Sequence, residues 1–573
     1  MDKIMNKIKY AIVLSLILSS TLFVFNSCQD KLEEEFYNPE QQTKASFDML
    51  FTGVLQTPDL FRQDYGSNYH AIRFSGRVLG LTSYPSAAWN NRATDSYMHW
   101  NDWSGATLRD NLWNFVYINS NKNVPIMNLM INNLPENERK DYEVYTMCVN
   151  VCKAYMFQRL TDAYDDIPYS EAGGAYEEKY WAKYDSQKDI YFSLLDELKT
   201  LANDLSAYEL NSSAAHLKFR TADILNNGDV KKWAKFANSI RLRMAIRISV
   251  VEPAKSRAII QEILASPAGL IRENAEEVGM VEKNLAQVWE IYWPRALYDM
   301  WYQAHAPKSL LNGIFGYSTT APAEQIDPRT YVVFQPSVQG RYVAVEKWGP
   351  QQDPLIDIDF PDPAENAKVK AWDYDDNLDP MFSYYNKMTY FNFDMKFPTV
   401  SPSEVHLLLA EAGVRFPELG INSSDEYKKA ISTSIDWYYN LNNSNKYSET
   451  SQPNIVKNVM PGSQYPKPAQ SVIDGFLNYK TGLFDAKNAD DKIKEIFNQK
   501  FAHLNYLNPM EVWSEARRLQ KEYGILAPKS VVVKWMERFY YPASEAQTNP
   551  DNFAKVASKN DAVTPVWWTG RTN

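Results

Sequence analysis

The feature that most constrains this fold is a helix-period pattern along residues 144–159. Apolar and aromatic side chains, among them Val144, Cys148 and Tyr155, recur there every three or four residues, which is the spacing of one face of an α-helix. Pro168 has no backbone N–H and biases the residue before it away from helical geometry. The pattern therefore predicts one long helix that ends before Pro168, followed by a polar loop.

The polar stretch at this helix end carries Asp162, Asp165, Asp166 and Tyr169. These residue types fit a binding site, and they also fit a helix C-terminus packed beneath its neighbours. The residues alone do not separate the two interpretations. We expect the structural role.

Similar helical spacing recurs later, and local signals indicate where these helices begin. The predicted starts are a cap at Asp185, a first-turn proline at Pro253, and capping boxes at Ser401–Glu404 and Asn508–Glu511. Antiparallel helix pairs of this kind resemble tetratricopeptide repeats, although no strict 34-residue signature occurs.

Between about 267 and 400 the pattern changes, because proline, glycine and aspartate become frequent and short runs such as Tyr331–Phe334 favour strands. We interpret residues 267–400 as an irregular insert with a few short strands. The predicted fold class is mostly α: a tetratricopeptide-like helical hairpin scaffold with an irregular, loop-rich ligand-binding part.

Composition narrows the classes of function. The formal charge is −10 and no run of Lys or Arg occurs, which argues against nucleic acid as a partner. Six His and three Cys are few, and no HExxH, CxxC or P-loop pattern is found, so metal hydrolysis with nitrogen ligands and nucleotide chemistry are unsupported. The 37 Tyr, 16 Trp and 26 Phe suit wet binding surfaces and helix-pair cores alike.

The first 27 residues have the form of a signal peptide, with Lys3, Lys7 and Lys9 ahead of an apolar run. That run is too short to span a bilayer comfortably. Cys28 follows it directly, as in a bacterial lipobox, so we predict that Cys28 is acylated and that residues 28–46 form a tether. The other interpretation is a chance cysteine in a secretory signal.

Two ring-rich segments are candidates for a ligand face. Residues 62–105 show little helical period but many large rings, and long loops of this kind are either functional or disordered. Rings and amides together suit sugars, because rings cover their apolar patches and polar groups bind their hydroxyls. The second segment, residues 289–302, carries six more Trp and Tyr rings. The predicted ligand-binding residues are Trp89, Asn90, Arg92, Trp100 and, from the second segment, Trp301. The alternative is that these rings pack the loops onto the scaffold.

An acidic segment offers a candidate cation site. Asp373, Asp375, Asn377 and Asp379 place oxygens at positions 1, 3, 5 and 7 of a calcium-loop pattern. Position 6 is not glycine and position 12 is not glutamate, so the segment is not an EF-hand. A structural calcium ion and a solvated acidic turn are the two interpretations.

Several segments resemble one family. The segment Leu160–Ala172 is similar to a family segment with a Gly-Asp-Val/Ile-Pro-Tyr core, with Asp165 in place of the usual glycine. Other family-type segments are Trp233–Arg247, Asp327–Arg329, Ser403–Ala412, Glu511–Arg518, Arg538–Glu545 and Asn549. Together they cover nearly the whole mature chain, which resembles the SusD/RagB nutrient-binding outer-membrane lipoproteins, specifically the SusD-like branch.

The resemblance implies a helical domain over residues 47–573, anchored in the outer membrane, and a SusC-like TonB-dependent transporter as partner. It implies a surface lipoprotein, not an enzyme, that binds an oligomeric nutrient such as a glycan and delivers it to that transporter. Two alternatives stay open: an oligopeptide-binding lipoprotein of the same transporter class, and an α-helical glycan-cleaving enzyme. The enzyme would need two carboxylates roughly 5–9 Å apart in a ring-lined cleft.

Overall fold

The computed structural model describes ten ranges of the chain: 46–57, 60–61, 103–120, 123–280, 305–337, 340–344, 383–392, 395–445, 462–523 and 536–572. By spatial clustering the chain divides into residues 1–50 and residues 51–573. In the first unit only residues 46–50 are described, and they lie at the start of a helix. None of the helices in these ranges combines the length and apolar character that a membrane span requires.

Helices dominate the described residues up to position 265. They are α1 (Phe47–Leu55), α2 (Trp103–Asn114), α3 (Asn123–Asn132), α4 (Glu136–Arg139), α5 (Glu143–Tyr164), α6 (Gln187–Ala207), α7 (Ala214–Ala222), α8 (Val230–Arg247) and α9 (Pro253–Ala265). The long helix predicted from the apolar spacing is α5, and it ends before Pro168 as expected.

Strands are short and come in antiparallel pairs. Strand β1 (Ile167–Pro168) pairs with β2 (Tyr184–Asp185), and β3 (Phe334–Gln335) pairs with β4 (Tyr384–Tyr385). Between β3 and the later helices lies a single turn, α11 (Lys387–Tyr390), and α10 (Thr330–Val333) precedes β3.

The C-terminal part is again helical. Its helices are α12 (Pro402–Arg415), α13 (Ser423–Ser444), α14 (Gln470–Asp485), α15 (Ala489–Leu504), α16 (Pro509–Tyr523), α17 (Glu545–Thr548) and α18 (Pro550–Val556). Helix α6 packs on α8, and α12 packs on α13 and α15, as neighbouring helices of hairpins do. Contacts between α8 and α12 join the two sets into one scaffold.

Side-chain caps explain where several helices begin. The predicted helix starts are confirmed: Pro253 is the first residue of α9, and the Ser401 and Asn508 side chains accept from backbone N–H groups of Glu404 and Glu511. Only the cap bond of each predicted capping box is shown, since the Glu404 and Glu511 carboxylates pair with arginines of α8. These bonds satisfy N–H groups that have no partner inside the helix.

The predicted cap at Asp185 is wrong by one residue. Ser186 caps α6, since its Oγ accepts the backbone N–H of Asp189 at 3.2 Å. Asp185 lies in β2 instead, and its carboxylate accepts backbone N–H groups of Tyr169 at 3.2 Å and Ser170 at 2.7 Å. The carboxylate is therefore engaged by the loop after β1.

The predicted strand at Tyr331–Phe334 is only partly correct. Most of that run is the single turn α10, and β3 begins at Phe334. The turn forms because the carbonyl of Arg329 accepts the backbone N–H of Val333 at 2.8 Å. A buried salt bridge of 2.6 Å to Asp327 holds Arg329 in place, so tertiary contacts override the β-propensity of the run.

Candidate functional site

The residues predicted to bind ligand lie outside the described residues. This holds for Trp89, Asn90, Arg92, Trp100 and Trp301. Cys28 and the acidic segment with Asp373, Asp375, Asn377 and Asp379 also lie outside them. Within the described ranges, no group of three or more His, Cys, Asp or Glu side chains is arranged to hold a metal ion. Each of these assignments stays a prediction.

The stretch at the end of α5 is a structural centre. Asp162 is buried, and its carboxylate accepts hydrogen bonds from the Gln158 amide, the Tyr191 hydroxyl and, at 2.9 Å, the Trp568 indole N–H. Arg247 Nη1 approaches it at 3.8 Å. With so many donors already in place, Asp162 fastens α5 to α6 and to the C-terminal segment.

Asp165 and Asp166 join the same helix end to the C-terminal segment. Asp165 Oδ2 lies 3.3 Å from Arg538 Nη1 and 3.1 Å from Lys559 Nζ, while its Oδ1 accepts the backbone N–H of Trp567 at 2.9 Å. Asp166 accepts from Lys559 at 2.6 Å. The structural interpretation of this stretch is therefore the one that the contacts support.

A small cleft, with room for about one water molecule, lies beside this stretch between α2, α5, α8 and α16. Its lining comprises Leu112, Tyr155, Gln158, Arg159, Asp162, Ala163, Arg243, Asn508, Met510, Glu511 and Ser514. Gln158 Oε1 is buried and has no hydrogen-bond partner, whereas its amide nitrogen donates to Asp162. The surface that the cleft exposes is mostly apolar. Three of its four charged side chains, Asp162, Arg243 and Glu511, already have oppositely charged partners.

Those charges belong to a buried ion-pair ladder. Arg243 donates to both carboxylate oxygens of Glu404 at 2.7 Å, and Arg247 donates to Glu511. Arg518 in turn donates to both oxygens of Glu411 at 2.7 Å. The ladder thus links α8, α12 and α16 through paired charges, and removal of one partner would leave an uncompensated buried charge.

Within the ladder, the pKa of Glu511 is raised and the pKa of Glu411 is lowered. Burial raises the pKa of Glu511 to about 7, although Arg247 and Arg243 act against it. Burial would also raise the pKa of Glu411, but Arg518 and Arg415 outweigh it and hold that pKa low. Glu411 and Glu511 are both buried, but their pKa values differ because Arg518 and Arg415 both lie close to Glu411, whereas Arg243 lies farther from Glu511.

The two cysteines of α5 are structural. Cys148 and Cys152 are free and fully buried, and burial raises the pKa of both thiols. Thiols of this kind are unreactive, since the thiolate is the nucleophile. Both side chains therefore serve α5 as small buried hydrophobes.

Sequence reasoning missed one exposed feature. Tyr180 and Trp181 are both 66% exposed and lie in the loop between β1 and β2. A usable signal was present: two adjacent rings stand among charged residues, in Glu177–Lys183, where no helical or strand period would bury them.

The chain is similar in sequence and in fold to known proteins of one family. A family model described as "SusD-like: Susd and RagB outer membrane lipoprotein" matches residues 74–569. A solved chitin-binding protein is 23% identical, with a TM-score of 0.63 over 91% of this chain and 99% of its own. A chitin-binding SusD homolog from Flavobacterium johnsoniae is 18% identical, with a TM-score of 0.58 over 91% and 97%. A SusD/RagB family protein from Bacteroides thetaiotaomicron is 15% identical, with a TM-score of 0.64 over 92% and 100%.

None of the curated proteins matches the chain. The packed helices of the described residues define the class: a mostly helical, tetratricopeptide-like scaffold. The chain belongs to the SusD/RagB family, as the match over residues 74–569 shows. That family consists of outer-membrane lipoproteins, so this is a lipid-anchored protein of the outer membrane.

Proposed function

We propose that this protein binds an oligomeric nutrient, a glycan, at the bacterial surface and hands it to a SusC-like TonB-dependent transporter for uptake. The family match over residues 74–569 carries the proposal. The description of two solved relatives as chitin-binding supports a glycan as the nutrient. The proposed role is binding and delivery, with no catalytic residue.

The proposed ligand contacts are Trp89, Asn90, Arg92, Trp100 and Trp301. Indole rings stack on the apolar faces of pyranoses, and amide and guanidinium groups hydrogen-bond their hydroxyls. The ion-pair ladder supports this arrangement indirectly, because binding loops work best on a rigid scaffold. A ladder that ties α8 to α12 and α16 supplies such rigidity.

The proposed anchor is Cys28, freed by removal of residues 1–27 and followed by a tether to residue 46. Several acyl chains hold a protein firmly, since each buried methylene contributes about 0.8 kcal/mol. An outward-facing anchor would place the ring-rich loops where oligomeric nutrients arrive.

A calcium ion is proposed at Asp373, Asp375, Asn377 and Asp379. Carboxylate and amide oxygens are the ligands that calcium prefers. Added calcium should raise the melting temperature of wild type but not of the Asp375→Asn variant. Identical melting with calcium and with a chelator would remove the ion from the proposal.

The glycan proposal is tested by binding of the full-length protein in detergent to soluble chitin oligomers and a panel of other glycans. Trp100→Ala should weaken binding about tenfold and leave the melting temperature nearly unchanged. Leu217→Ala, at an exposed position of α7, is the control and should bind like wild type.

Three outcomes would contradict the proposal. Binding of an oligopeptide library without any response to glycans would favour the peptide-binding alternative. Cleavage of a glycan by pure protein would favour the enzyme. A large loss of stability in Trp100→Ala would identify that ring as core packing.

A further inference from the structure

The loop between β1 and β2 carries a pair of rings that the protein does not cover. Tyr180 and Trp181 are the most exposed large hydrophobic side chains of the described residues, at 66% each. The other exposed large hydrophobics there, such as Leu217 and Val472, are isolated in sequence. Scattered single apolar side chains are normal on a surface, but adjacent exposed rings point to binding.

The two rings are arranged as a corner. Their centroids lie 6.1 Å apart and their planes meet at 77°. The pair therefore presents two ring faces at nearly a right angle. One ring can stack on a flat apolar surface of a ligand while the second ring contacts the edge of that ligand.

The backbone beneath the rings is held in place by the C-terminal helices. Asn552 donates to the carbonyl of Trp181 at 3.1 Å, and Asn549 donates to that of Ala182 at 2.8 Å. The backbone N–H of Lys183 donates to Glu171 at 2.9 Å. A fixed backbone lowers the entropy lost on binding, so the exposed rings are partly pre-organised.

Charged residues flank the rings in the sequence. Glu177 and Lys179 form an exposed ion pair of 2.6 Å, and Lys183 is half exposed nearby in sequence. The two exposed rings therefore have charged neighbours in the sequence on both sides. Stable protein interfaces bury on the order of 1,000 Å² or more and have an apolar centre, whereas a single sugar needs one ring face and a few hydrogen-bonding groups.

We propose that Tyr180 and Trp181 form a second carbohydrate-contact site, which takes one pyranose unit of a glycan. The indole stacks on the apolar face of the sugar, and Lys179 and Glu177 bind its hydroxyls. The site rests on the proposed glycan-binding function and is separate in sequence from the predicted ligand-binding residues at 89–100 and at 301.

The test uses the full-length protein with 5-fluorotryptophan in place of tryptophan, titrated with soluble chitin oligomers and the glycan panel. The ¹⁹F signal missing from the spectrum of Trp181→Ala identifies Trp181. That signal should shift as glycan is added, and the Kd of the longest oligomer should rise about tenfold in Trp181→Ala. Trp181→Tyr keeps a ring and should bind nearly as tightly as wild type.

The outcomes separate this site from the proposed function. A wild type that binds no glycan overturns both. Glycan binding that Trp100→Ala weakens but Trp181→Ala leaves unchanged, with no shift of the Trp181 signal, overturns only the second site. Loss of transporter co-purification in Trp181→Ala with glycan affinity intact would identify the rings as a protein contact and overturn the site as well.

Discussion

Asp165 and Arg538 form a buried salt bridge of 3.3 Å across 373 residues of sequence. It joins the end of α5 to the C-terminal segment. Arg538 also donates to the carbonyl of Tyr164 and, at 2.9 Å, to the hydroxyl of Tyr541. The salt bridge therefore ties together two segments that lie far apart in the sequence.

Asp165 has a backbone conformation that favours glycine, with φ 72° and ψ −115°. Asp165→Gly should remove strain of about 1–3 kcal/mol but lose a buried charge pair, whose disruption costs about 3–5 kcal/mol. We expect a net destabilisation of roughly 2 kcal/mol, measured by denaturant unfolding. Asp165→Ala should be less stable than Asp165→Gly, because it loses the pair and keeps the strain. A glycine variant more stable than wild type would contradict this account.

The bidentate pair between Arg243 and Glu404 should be essential for stability. Glu404→Ala leaves a fully buried guanidinium with only a distant carboxylate, Glu511, at 3.7 Å from its Nε. We expect a loss of about 3–5 kcal/mol in the free energy of unfolding. The matched control is Glu418→Ala, which breaks an exposed pair with Arg257 and should leave the unfolding midpoint almost unchanged. Equal effects of the two substitutions would rule out the ladder as a source of stability.

Glu277 should make stability depend on pH. Burial raises its pKa to about 7, against the opposing effects of the Trp437 N–H and of Lys396. In the unfolded chain this carboxyl loses its proton near pH 4.5, whereas in the folded protein it keeps the proton up to about pH 7. The contribution of Glu277 to the free energy of unfolding should therefore fall as pH rises from about 4.5 to about 7.

Glu277→Gln removes this titration and keeps an acceptor for the Trp437 N–H, which donates to Glu277 at 3.0 Å. The variant should match wild type near pH 4.5 and exceed it near pH 8 by on the order of 3 kcal/mol. Denaturant unfolding across this pH range provides the measurement. Parallel curves for the two proteins would show that Glu277 does not titrate in this window.

Cys28→Ala should release the protein from membranes. Without acylation the tether has no apolar group that binds a bilayer, so the protein should move from the membrane pellet to the supernatant in fractionated cells. Substitution of a buried cysteine, Cys148→Ala, is the control and should leave the protein in the pellet. Continued sedimentation of Cys28→Ala with membranes would exclude the lipid anchor.

Local sequence signals were sufficient for the longest predicted helix and for several helix starts. Apolar spacing marks α5, Pro168 lies beyond its end, and Ser401 and Asn508 cap α12 and α16. These features depend on the geometry of neighbouring residues, which a sequence displays directly. The family resemblance likewise came from contiguous segments, and the match over residues 74–569 confirms it.

Tertiary structure alone decided which charges pair. Arg243 meets Glu404 across 161 residues and Asp165 meets Arg538 across 373, and no local pattern links such partners. Tertiary structure also decided the role of Asp185, which lies in the strand pair β1–β2 and does not cap a helix as predicted. It likewise decided the exposure of Tyr180 and Trp181, which depends on the packing around them. Helical period and capping are local, whereas burial and ion pairing arise only when distant segments pack together.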